Sequence, residues 1–122
     1  MSVPNREAFY QVIAETRTDP SAPAGEASFA GSYRPTSHTA GPWSGDLQHA
    51  GPPSALLARA IGRLGGGPTN AHLARVAIEI LAPVPVAPLR IEASSLRSGR
   101  KVNLCDAALF VDGSPEPVMR MR

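Results

Sequence analysis

Apolar positions change their period along this chain, and the changes mark out its elements. Residues 5–17 read as a short helix or strand with Phe9, Val12 and Ile13 turned inward. Residues 28–34 carry Phe29 and Tyr33 on one side of a strand that Pro35 closes. The helical period is clearest over 52–64. Two prolines fill the first turn, where a missing N–H costs nothing, and Leu57, Ile61 and Leu64 recur at i, i+4 and i+7. Gly65, Gly66, Gly67 and Pro68 stop that helix. The period then becomes two. Ala74, Val76, Ile78 and Ile80 alternate with polar or smaller neighbours across 72–82, and Leu89, Ile91 and Ala93 start a second such strand. Ser98, Gly99 and Arg100 turn the chain back, and Val102, Leu104, Ala108 and Phe110 are the expected inner set of the next strand. Asp112 and Gly113 make a further turn before a last strand over 118–122.

One helix followed by three or four antiparallel strands excludes a doubly wound parallel sheet, which needs helices between its strands. The class is α+β. The small Ala55, Ala58 and Ala60 let a curved antiparallel sheet approach the helix closely and wrap it, the arrangement called a hotdog. Residues 1–27 are expected to form an N-terminal extension with a flexible Pro-, Ala- and Gly-rich loop over 18–26, leaving 28–122 as the domain, its final strand cut short. Residues 36–51 lack regular-structure formers but hold Trp43 and Leu47, apolar groups that would pin an ordered loop.

Composition agrees with one domain. The chain has 122 residues, 43% of them hydrophobic and only 5% aromatic, so its core is mainly aliphatic. Its 13 prolines and 11 glycines argue against a helical bundle. The net charge of +2 is spread out, and Arg97, Arg100 and Lys101 read as a solvated turn without aromatic stacking partners, which points away from nucleic acid. Neither a membrane span nor a signal peptide is read in the chain, so a cytoplasmic protein is expected. Cys105 has no second cysteine to pair with, and three scattered histidines offer no metal-ligand spacing, so neither metal nor cofactor is expected.

The run Gly41-Pro42-Trp43, then Asp46, then Gln48-His49-Ala50-Gly51-Pro52-Pro53-Ser54-Ala55-Leu56-Leu57-Ala58-Arg59-Ala60-Ile61 resembles the acyl-CoA thioesterase II-like branch of the hotdog superfamily. So does Arg75-Val76-Ala77-Ile78-Glu79-Ile80-Leu81-Ala82-Pro83-Val84-Pro85, and the likeness covers roughly 28–122. It implies an acyl-CoA or related thioester as substrate. Family members usually carry two glycines after the histidine, where this chain has Ala50 and Gly51. They are typically double hotdogs whose recognised catalytic acid lies in the second half, so this chain would supply the first half and pair as a homodimer.

Thioester hydrolysis needs an activated water and a stabilised oxyanion. Helix N-termini have unpaired N–H groups and a dipole that favours negative charge, which suits the second need. Pro52 and Pro53 have no N–H, leaving Gly51 and Ser54, with Ala50 as a further donor. Asp46 is the candidate water-activating base, Gln48 would position the water or thioester, and His49 would assist proton transfer. Turn-capping by Asp46 and loop-holding by His49 are the structural alternatives. Two other functions stay open: a non-catalytic acyl- or CoA-binding module, and a hotdog enoyl-CoA hydratase. Arg59, Arg63, Arg97, Arg100 and Lys101 are either solvated surface or contacts for CoA phosphates.

Overall fold

The computed structural model describes residues 8–18, 27–64 and 72–122. The expected N-terminal start, most of the 18–26 loop and the glycine stop after the helix lie outside the described residues. In chain order the elements are β1 (Tyr10–Arg17), β2 (Ser28–Pro35), a 3-10 turn (Ser37–Thr39), β3 (Ala40–Gly41), β4 (Ser44–Gln48), α1 (Gly51–Gly62), β5 (Ile78–Ile80), β6 (Leu89–Arg97), β7 (Leu104–Val111) and β8 (Pro117–Met121). Six strands form one antiparallel sheet in the order β1-β2-β6-β7-β8-β5, and β3 with β4 make a separate hairpin.

Register sets the inner face in rows that cross the sheet. One runs Phe29, Ala93, Ala107, Met121, Ile78; the next Gly31, Ile91, Leu109, Met119, Ile80; a third Tyr33, Leu89, Val111. Helix α1 packs over β6 and β7 and touches β2 and β8, burying Pro53, Leu56, Leu57 and Ala60 against these rows. Ile61 and Leu64, expected on the same stripe as Leu57, pack half-buried at its rim. Because the helix sits centrally, both margins of the sheet stay open. Ile78 and Ile80 end their rows 43% and 59% exposed.

Several elements depart from the sequence reading. The expected N-terminal extension contains β1, an edge strand of the main sheet paired along β2. Phe9, Val12 and Ile13 are not buried: each is more than half exposed, and Ile13 falls in the bulge between Val12 and Ala14. In β7 the phase is reversed. Ala107 and Leu109 face the helix, while Val102 and Leu104 are exposed. Ala108 and Phe110 take the outer face, where the Arg90 guanidinium lies 4.2 Å from the Phe110 ring centroid. The 72–82 strand shrinks to three residues, Ile78–Ile80, paired with Met119–Met121 of β8. No helix among the described residues is long and apolar enough to cross a membrane.

Candidate functional site

The 36–51 segment is ordered by hydrogen bonds rather than by its aromatic. Trp43 sits at the hairpin tip and is 87% exposed, so it does not anchor the loop as expected. The anchors are polar. Fully buried Thr39 donates its hydroxyl to the Thr36 carbonyl at 2.9 Å, and its own carbonyl accepts the His49 N–H at 3.0 Å. On the other flank the Gln48 N–H donates to the Val84 carbonyl at 2.7 Å, and the Val86 N–H to the Asp46 carbonyl at 2.8 Å. The Gln48 side chain completes the clamp, accepting from the Tyr10 hydroxyl at 2.5 Å and donating to the Pro85 carbonyl at 2.8 Å. Gln48 is therefore a strut joining three segments, and its amide is already engaged. Burial pushes the Tyr10 phenol far up, so it stays protonated as the donor.

This clamp delivers the chain to the start of α1. The N–H groups of Ala50 and Gly51 make no hydrogen bond among the described residues. Pro52 and Pro53 follow with none to offer. Ser54 departs from expectation: its N–H donates to the Ala50 carbonyl at 3.1 Å and its hydroxyl to the same oxygen at 2.6 Å, so neither donor is free for a ligand. Glycine at 51 has a steric reason. A Cβ there would stand 3.2 Å from His49 Cε1 and 3.3 Å from Nδ1, so the bare Cα lets the imidazole lie close against the helix start.

His49 and Gly51 form the mouth of an apolar groove of about 490 Å3 between β1 and α1. Phe9, Tyr10 and Val12 make one wall; Pro52, Ala55 and Leu56 make the other. The groove exists because α1 lies over β6 and β7 and leaves the inner side of β1 uncovered, which also explains the exposure of Phe9 and Val12. Asp46 is not among its lining residues. It lies exposed on β4, its N–H held by the Ser44 hydroxyl at 3.1 Å, with no partner for its carboxylate among the described residues. The sequence-expected set is thus split: His49 and Gly51 meet at the groove, Gln48 supports it through Tyr10, and Asp46 stands apart.

The far end was not foreseen. Arg59, read from sequence as solvated surface or a contact for CoA phosphates, turns onto Glu15 and donates from Nη1 to Glu15 Oε1, which also accepts the Tyr33 hydroxyl at 2.9 Å. The hydrogen bond from Arg59 holds the Glu15 carboxyl below the usual carboxylate range, and the Tyr33 hydroxyl acts in the same direction against burial. Burial, with that bond to Glu15, pushes the Tyr33 phenol up to about 12. The only hint in the sequence is a glutamate in a strand and an arginine on a helix, 44 residues apart. Among the described residues no group of three or more His, Cys, Asp or Glu side chains gathers as a metal site.

No curated protein matches the chain. Among solved structures, the chain is similar to a phenylacetic acid degradation-related protein of Ralstonia eutropha JMP134 that carries a provisional thioesterase assignment. Identity is 22% over 88% of this chain and 80% of that one, with a TM-score of 0.66, a likeness that shows the fold. A central helix on a curved antiparallel sheet with that neighbour is the hotdog fold. A family model for the acyl-CoA thioesterase N-terminal domain matches residues 39–122, the hairpin clamp, the helix and every strand after it, and the chain belongs to that family.

Proposed function

We propose that the chain hydrolyses acyl-CoA thioesters and works as a homodimer. One observation carries this reading: a family of thioesterase domains, and in this member two unpaired backbone N–H groups, Ala50 and Gly51, at the mouth of an apolar groove. The thioester carbonyl oxygen lies against those donors, the acyl chain follows the groove and the CoA portion points outward. Water adds to the carbonyl carbon. The oxyanion that forms is stabilised by the two N–H groups and the positive end of the α1 dipole. Collapse expels the CoA thiolate, which takes up a proton, and releases the carboxylic acid. His49, at the mouth, accepts the water proton and returns it to sulfur. Asp46, the carboxylate of a groove completed across the subunit boundary, orients that water for His49, consistent with its exposed position on β4, where its carboxylate has no partner among the described residues. Gln48 acts by positioning the hairpin.

Thiol release from an acyl-CoA panel tests this. Asp46→Asn is expected to lower kcat by about 10²–10⁴-fold, with dimer mass by light scattering unchanged. If wild type releases thiol only at the buffer rate, the hydrolase reading falls. The separation of Asp46 from the groove favours one alternative, an acyl-CoA-binding module. It would show ligand-dependent rises in Tm without turnover.

A further inference from the structure

We infer that the Glu15–Arg59–Tyr33 cluster is a polar end-stop for the groove, limiting the acyl group to a medium-length chain. The inference rests on the proposed thioester reading, because it takes the groove mouth at Gly51 as the site of the carbonyl. From Gly51 to Arg59 is eight residues of helix, about 12 Å along its axis. The groove follows this line, since Gly51, Pro52, Ala55, Leu56 and Arg59 lie on one face of α1. An extended backbone advances about 3.5 Å in three bonds, so a carbon chain laid along the same 12 Å runs through roughly ten bonds before it meets the guanidinium.

The meeting is unfavourable for a methylene. Arg59 and Glu15 side chains are 34% and 20% exposed, and Arg59 lines the groove, so the pair keeps part of its hydration. An alkyl chain pushed past them would strip that water without giving a hydrogen bond in return. The ion pair cannot easily swing aside, because Tyr33, itself 1% exposed, holds the same carboxylate oxygen from the core side. Both the β1 wall and two of the three end-stop residues precede residue 39. They therefore lie outside the segment matched by the family model.

The test uses the dimeric or monomeric protein as isolated and a series of non-hydrolysable S-alkyl-CoA thioethers from butyl to hexadecyl, with affinity measured by titration calorimetry. In wild type, Kd is expected to fall about fourfold for each added methylene, the value of one buried CH₂, up to about decyl. Beyond that it levels or rises. Glu15→Gln/Arg59→Met keeps an acceptor for Tyr33 while removing both charges. It is expected to extend the fourfold-per-methylene trend past decyl, with Glu15→Leu/Arg59→Leu as a second variant if the first melts early. The same chain-length profile in wild type and in a folded double variant would overturn the inference. So would a wild-type trend that continues unbroken to hexadecyl. Binding with a break at decyl but no thiol release from acyl-CoA would leave the end-stop standing and remove the hydrolase reading, whereas no binding at any length would remove both.

Discussion

Replacing Gly31 by alanine places one methyl where Tyr33 already is. A Cβ at position 31 would lie 2.2 Å from the Tyr33 hydroxyl oxygen, 2.6 Å from Cζ and 2.7 Å from Cε2, all well inside contact distance. The ring folds back over the glycine, two residues away on the same face of β2. It is 1% exposed, so no free space receives it if pushed. The backbone at Gly31 is not in the left-handed region, so the change is steric rather than conformational. Forcing the ring aside costs about 1–3 kcal/mol as overpacking. Loosening the hydrogen bond to Glu15 adds about 1 kcal/mol or more, as that acceptor is charged. Against this, a strand alanine recovers about 0.5–1 kcal/mol of chain entropy. The net loss is about 1–3.5 kcal/mol, a fall in Tm of roughly 4–14 °C for a domain of this size. Urea and thermal melts of wild type, Gly31→Ala, Tyr33→Leu and the double variant close a cycle. The double variant should be more stable than the sum of the singles by about 1–2 kcal/mol. A Gly31→Ala protein that melts within about 0.5 kcal/mol of wild type would refute the account of why glycine stands there.

Glu15 gives a pH signature. Its folded pKa lies below the ordinary ~4.3, so the stability it contributes is present above that value and lost as pH falls through the lower folded one. The Tm gap between wild type and Glu15→Gln should be constant between pH 6 and 8 and close on acidification below about pH 4; a gap that widens there would contradict the pairing. Leu57→Ala removes a side chain with no exposed surface and should cost about 3 kcal/mol in urea melts. Gly51→Ala should leave stability within about 0.5 kcal/mol, because His49 is exposed and yields a few tenths of an ångström, yet lower kcat/KM about tenfold by moving the imidazole at the mouth.

Local rules recovered the helix and the simpler strands. Pro52 and Pro53 announce the start of α1, and Asp112-Gly113 the β7–β8 turn, with Gly113 at φ 83°. They failed where neighbours decide. Leu104–Val111 is apolar or small at nearly every position, so alternation carries no phase, and only register against Leu89, Ile91 and Ala93 shows that Ala107 and Leu109 face the helix. The β3–β4 hairpin is hidden inside a Gly-Pro-Trp-Ser-Gly stretch because bonds that tether β4 go to residues 84–86, far along the chain. At the candidate site, the unpaired Gly51 N–H at the start of α1 follows from the logic of helix ends. Ser54 did not hold, because an i to i−4 bond closes onto Ala50 as soon as the helix forms. The Glu15–Arg59 pair had no local trace, since a strand edge and a helix face meet only after folding.

The exposed hairpin tip has a practical consequence for how this protein is observed. Trp43 is the sole tryptophan and is already bathed in solvent in the native fold. Its emission should therefore resemble that of the denatured chain and scarcely report global unfolding, for which the two tyrosines, both bonded through their hydroxyls, are the better chromophores. The same indole becomes a selective optical probe for anything that settles over the Ala40–Gln48 hairpin. A blue shift on raising protein concentration would register a second subunit there, and one on adding acyl-CoA a ligand.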